Sequence, residues 1–209
     1  MAAVEAAFAS GYHAEVDVRC TSDGRVAVFH DQDLLRMTGE KGPVNSRRLE
    51  ELSALTLADT SHSLPSLTAI LKGLPKGAGL FIEVKTEGPA GLFEEAIAKE
   101  VRTAPVAIMS FNTDTVAWFQ KWHPAIPCGQ LSCRFDKDPM PSWKKFLLSR
   151  YVTGNTPDFA GHRWQDLPAR SLLGRPLRIP VLAWTVTSPD DAQQALRHAD
   201  NIIFEGFNP

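Results

Sequence analysis

Apolar residues fall into short continuous runs separated by stretches of helical period. Residues 13–18 alternate as a strand, and residues 26–29 form a second strand after the turn sequence Thr21-Ser22-Asp23-Gly24. So short a connection allows only an antiparallel hairpin. A hairpin turning about Ser22-Asp23-Gly24 sets Asp17 opposite His30. Apolar runs at 79–84, 106–111, 129–133, 181–186 and 202–205, with a weaker one at 158–161, read as further strands. Helices are expected over 2–10, 64–74, 90–102, 114–122, 141–149 and 189–198. Gly11 stops the first, Asn112 or Thr113 caps the fourth, and Pro189 opens the last. Residues 31–63 are polar, carry Gly39, Gly42 and Pro43, and hold one helical stretch at 47–55. They read as an insertion within a single domain spanning residues 1–209.

Strands alternating with helices indicate an α/β fold with a parallel sheet covered by helices. Counting the hairpin once leaves seven βα units. A (β/α)8 TIM barrel has eight and usually about 250 residues. The expectation is therefore a (β/α)8 barrel lacking its first strand, with a hairpin and a small insertion after the second. An open doubly wound sheet is the alternative. No GxGxxG or GxxxxGK follows any strand, so nucleotide binding has no motif behind it.

Charge narrows the partners. The 209 residues carry a net charge of −2 without a polybasic run, which speaks against nucleic acid or an anionic membrane. No apolar stretch approaches the roughly 18–20 residues of a membrane span. The first ten residues lack the basic start and apolar run of a signal peptide. Cys20, Cys128 and Cys133 form no CxxC pair, and an odd count without such a signal points to reduced thiols and a cytoplasmic location.

In a barrel, chemistry sits where strands end. Glu15 and Asp17 are two residues apart on one strand and so share a face; Glu83 and Lys85 share a face on another. Three carboxylates at one mouth repel one another unless a cation joins them, and an all-oxygen set suits Mg²⁺, Ca²⁺ or Mn²⁺ rather than zinc. The hairpin returns His30 beside them. An imidazole near a cation and a lysine equips the mouth for proton transfer at a phosphate ester. Each residue alone has a plainer explanation: a rim carboxylate, a hydrogen-bonding histidine, a salt-bridged lysine. Their coincidence at strand ends shifts the weight.

The segments Glu15-Val16-Asp17-Val18, Thr21-Ser22-Asp23-Gly24 and Val28-Phe29-His30-Asp31 resemble the glycerophosphodiester phosphodiesterase family. So do LLRMTG at 34–39, Gly42-Pro43-Val44, LPSLTAIL at 64–71, IEVK at 82–85, Ser110-Phe111 and AWTV at 183–186. The resemblance implies a TIM barrel that hydrolyses glycerophosphodiesters to sn-glycerol 3-phosphate and an alcohol, using a divalent cation (Mg²⁺ or Ca²⁺). It implies that Glu15, Asp17 and Glu83 hold the metal, that His30 is one of two catalytic histidines, and that Lys85 helps hold the phosphate. It places Trp184 near the glycerol, although a core aromatic is an equal reading, and makes residues 31–63 the insertion that closes over the substrate. The family opens with a strand ending in His-Arg-Gly and a Glu-Asn-Thr or Glu-Asn-Ser helix start, neither of which is in this sequence. His13 stands at the wrong end of its strand to substitute. Weak or absent turnover is the expectation. A non-catalytic phosphodiester binder and a lysophospholipid-directed phosphodiesterase are the competing functions.

Overall fold

The computed structural model describes residues 2–86, 88–136, 139–149, 156–171 and 173–209. One eight-stranded sheet organises them, with strands β1 (Ala14–Cys20), β2 (Val26–Val28), β3 (Leu80–Val84), β4 (Val106–Ser110), β5 (Cys128–Ser132), β6 (Phe159–Arg163), β7 (Val181–Val186) and β8 (Asn201–Phe204). The order is β2-β1-β3-β4-β5-β6-β7-β8. Only β2 runs antiparallel; every other neighbouring pair is parallel. The sheet curls as in a (β/α)8 barrel. Among the described residues no ladder joins β8 to β1. Side chains bridge that seam instead: the Tyr12 ring stacks edge-on against Phe204 at 5.0 Å, and its hydroxyl donates to Asn208 Oδ1 at 2.8 Å.

The helices are α1 (Ala2–Ala9), α2 (Leu35–Thr38), α3 (Leu49–Ser53), α4 (Leu67–Lys72), α5 (Leu92–Val101), α6 (Thr113–Trp122), α7 (Ser142–Leu148) and α8 (Pro189–Ala195). Side-chain caps set several starts. Ser66, Asn112 and Ser188 accept hydrogen bonds from the backbone N–H groups of Ala69, Asp114 and Asp191, which satisfies donors that the first helical turn leaves open.

Strand alternation divides the apolar residues between two layers. Val16, Val18, Ile82, Val84 and Ile108 pack outward against Ile70, Ile97, Val116 and Phe119 of the helices. Met109, Leu131, Phe159, Leu182, Phe81 and Trp184 fill the interior. Two inward glycines make room for them. A Cβ on Gly129 would lie 2.1 Å from the Phe159 ring, and one on Gly161 would lie 2.3 Å from Leu131 Cδ2. Residues 31–63 leave the sheet after β2 and build a separate apolar cluster in which Leu34, Val44, Leu49 and Leu52 pack with Ala27, Phe29 and Leu64. Besides the helical stretch expected there, this excursion holds α2 and a short 3₁₀ turn at Val44–Ser46.

The hairpin register departs from expectation by one residue. Cys20 pairs with Val26 and Val18 with Val28, and the next backbone bond runs from Phe29 N to Asp17 O at 2.9 Å. Asp17 therefore stands opposite Phe29, not His30. The turn explains the shift. Thr21 N bonds to Arg25 O, which leaves a three-residue loop centred on Asp23, and Gly24 takes the left-handed conformation (φ 71°) that such a loop needs.

Candidate active site

Register brings the acids together. Asp17 pairs directly with Glu83, and Glu15 lies two residues earlier on the same face of β1. One carboxylate oxygen from each of Glu15, Asp17 and Glu83 lies within 4.8 Å of the others. Lys85 answers part of this charge. Its Nζ is 3.1 Å from Asp17 Oδ1 and 2.5 Å from Glu83 Oε1. Three carboxylates against one ammonium still leave the mouth acidic.

The electrostatic consequences differ by depth. Burial pushes Glu15 up to about 8, with the charges of Asp17 and Glu83 adding and Lys85 opposing. Burial also raises Glu83, against the pull of Lys85. Burial works against the charge on Lys85, but Glu83 and Asp17 outweigh it and the lysine is raised overall. Glu15 Oε1 is buried without a hydrogen-bond partner, a costly state for a carboxylate unless a ligand meets it. Three clustered carboxylate oxygens and an orphaned buried one fit a hard divalent cation.

His30 lies just past the end of the ladder. Its carbonyl accepts from Arg19 Nε at 3.0 Å, its ring is largely exposed, and its charge reaches Glu83. Its Nδ1 lies 2.9 Å from Asp31 Oδ1. Asp31 in turn accepts from Arg36 of α2, Nε to Oδ2 at 2.6 Å and Nη2 to Oδ1 at 2.8 Å. These bonds from Arg36 and His30 hold the Asp31 carboxyl far below the usual range. His13 caps the far end of the sheet, where its Nδ1 accepts from Gly79 N at 2.9 Å.

The opposite wall of the mouth is aromatic. Phe111 meets Trp184 edge-on at 5.5 Å and Phe135 at 6.1 Å. Phe135 holds a left-handed φ of 58°, a conformation that costs a bulky residue energy. Trp184 is half-buried, and its Nε1 has no acceptor. A cavity of about 250 Å³ reaches Lys85 and lies between Arg19, Lys85 and Thr86 on one side and Gln32 and Asn45 of the 31–63 segment on the other.

Sequence reasoning missed three groups here. Phe135 stands in an irregular loop with no motif. The partnership of Asp31 with Arg36 joins a residue before α2 to one on it, five positions on, with no motif to mark it. Glu205, directly after β8, adds its negative charge to the field at Glu15; its position after a terminal apolar run was the available signal.

The sequence profile of the Glycerophosphoryl diester phosphodiesterase family matches residues 1–204. The chain belongs to that family. A glycerophosphodiester phosphodiesterase of Bacillus altitudinis is 30% identical over 149 residues, covering 63% of this chain and 60% of that protein. One from Bacillus subtilis (strain 168) is 24% identical over 169 residues, covering 69% of this chain and 58% of its own length. The matched segments thus span little more than half of these relatives. Among solved structures, an Oleispira antarctica phosphodiesterase in complex with the product sn-glycerol-3-phosphate superposes with a TM-score of 0.77 at 20% identity, over 97% of this chain and 85% of that one. The Thermotoga maritima glycerophosphodiester phosphodiesterase gives 0.73 at 22% identity, over 97% and 86%. At such identities the likeness is one of fold, and it establishes the TIM barrel of the glycerophosphoryl diester phosphodiesterase family for this chain.

Proposed function

We propose that the chain acts on glycerophosphodiesters at this mouth, hydrolysing them to sn-glycerol 3-phosphate and an alcohol, with a divalent cation held by Glu15, Asp17 and Glu83. The observation that carries the reading is the convergence of three carboxylate oxygens within 4.8 Å on two paired strands, in a chain of this family. The oxygen-only donor set favours Mg²⁺ or Ca²⁺. When bound, the cation would draw negative charge from the phosphate oxygens. Lys85, now tied to Asp17 and Glu83, would turn its ammonium to the phosphate once those acids are otherwise neutralised. His30 would carry a proton to or from an ester oxygen. The partnerless indole N–H of Trp184 would donate to a glycerol hydroxyl.

His30 is the one imidazole at the mouth among the described residues. His13 lies at the opposite end of the sheet, and His162 has the outward parity of Ala160 on β6, away from the interior cluster. A phosphodiester displacement needs one proton removed and one delivered. With a single imidazole, residues 1–209 would turn over about 10²–10⁴ times more slowly than a mouth with two. The same observation favours the second reading, a phosphodiester-binding relative without catalysis.

Turnover of glycerophosphocholine with Mg²⁺ or Ca²⁺ separates the two. Slow, chelator-sensitive release of sn-glycerol 3-phosphate that His30→Asn abolishes supports the enzyme. No release, with ligand binding unchanged by Glu15→Gln, supports the binder and refutes the proposal.

A further inference from the structure

We infer that Asp31 is a positioning residue: clamped by Arg36 of the insertion, its carboxylate keeps the His30 ring proton on Nδ1 and turns Nε2 toward the substrate. The inference rests on the reading of His30 as the proton-transfer group.

The exposed His30 ring has little packing to fix it. Its orientation must come from polar contacts. On the backbone side, Arg19 Nε reaches its carbonyl at 3.0 Å. On the ring side, Asp31 Oδ1 lies 2.9 Å from Nδ1. A carboxylate one residue away is too mobile to hold a ring by itself. Arg36 removes that freedom, because its two nitrogens grip the two oxygens of Asp31 at 2.6 and 2.8 Å and a planar fork fixes the plane of the carboxylate. An ionised carboxylate only accepts, so Nδ1 must donate. In the neutral ring the exchangeable lone pair is then on Nε2. Asp31 touches neither cation nor substrate in this account.

The arrangement also links two parts of the fold. Arg36 belongs to α2, whose preceding residue Leu34 is fully buried in the apolar cluster of the insertion. Gly39 closes α2 in a left-handed conformation. The group that moves the proton is therefore oriented by the same segment that walls the cavity through Gln32 and Asn45. A shift of the insertion would release Asp31 and, with it, the ring.

¹⁵N NMR of the whole chain tests this without requiring turnover. In neutral His30 the wild-type spectrum should show protonated Nδ1 and unprotonated Nε2. Asp31→Ala should move the ring toward the Nε2–H form that unrestrained histidine prefers, and Arg36→Met should do so in part, with Arg36→Lys recovering less than the parent. In turnover, Asp31→Ala should lower kcat about 10–100-fold, the usual cost of losing a group that orients a histidine, and leave KM little changed. A wild-type ring protonated on Nε2 overturns the inference. So does an unchanged tautomer and kcat in both Asp31→Ala and Arg36→Met. If His30→Asn loses no rate, the assignment of His30 fails first, and the inference falls with it because nothing is left to position. If His30→Asn is inactive while Asp31→Ala matches the parent, the inference alone fails.

Discussion

Lys85 Nζ lies 3.1 Å from Asp17 Oδ1 on the neighbouring strand and touches Glu83 on its own. One ammonium thus stands where three carboxylates converge. Without a divalent ion, Lys85 is the nearest counter-charge these acids have. Lys85→Met should destabilise the chelator-treated protein by up to about 3–5 kcal/mol, the cost of breaking a buried ion pair and leaving its partner uncompensated. The deficit should shrink in millimolar Ca²⁺ or Mg²⁺. Urea unfolding with and without the cation measures both, and an equal loss in the two conditions would contradict the argument.

Binding of a cation to the folded acids alone should raise stability by mass action. At about a hundred times its Kd the gain is about 3 kcal/mol, or roughly 5–10 °C in Tm for a chain of this size. Glu15→Gln removes a donor and should erase most of that shift. A thermal melt that ignores both the ion and the substitution would count against a metal site here.

His162 is 3% exposed, and burial holds its imidazole down at about 4 against an ordinary 6.5. The unfolded chain therefore takes up this proton at higher pH than the folded one. Stability from this residue is full above about pH 6.5 and is lost as pH falls toward 4, by at most about 3 kcal/mol. His162→Gln should flatten that stretch of the stability–pH curve. An unchanged slope in urea titrations between pH 6.5 and 4 would show that the ring is not held neutral.

The barrel interior should resist even a methyl group at Gly129. Its added Cβ would meet the Phe159 ring at 2.1 Å, so Gly129→Ala should cost about 1–3 kcal/mol or more. Pairing it with Phe159→Leu should recover part of the loss, because the two changes act on one contact. Strict additivity in a double-mutant cycle would refute this packing.

Much of the site was legible beforehand because its signals are local. The Glu15–Asp17 and Glu83–Lys85 spacings need only the two-residue repeat of a strand, and Asn112 marks a helix start through its own backbone neighbours. The pairing of Asp17 with His30 failed because register depends on which turn the loop adopts, and Gly24 selected the three-residue form. The clamp on Asp31 was invisible for a similar reason: no fixed spacing relates a loop residue to the helix that follows it.

The chain's own residue order determined an alternating α/β succession, a mostly parallel sheet and the shared faces of Glu15 with Asp17 and of Glu83 with Lys85, since hydrophobic period and backbone geometry act within a few residues. Tertiary structure alone decided how deep Glu15 sits, which side chains bridge β1 and β8, and that Glu205 lies near enough to act on Glu15. Burial and Coulomb energies depend on distance in space: ladder pairing sets Glu15 beside β3, and Glu205, after the last strand of the sheet, comes within reach of Glu15 only when the sheet curls.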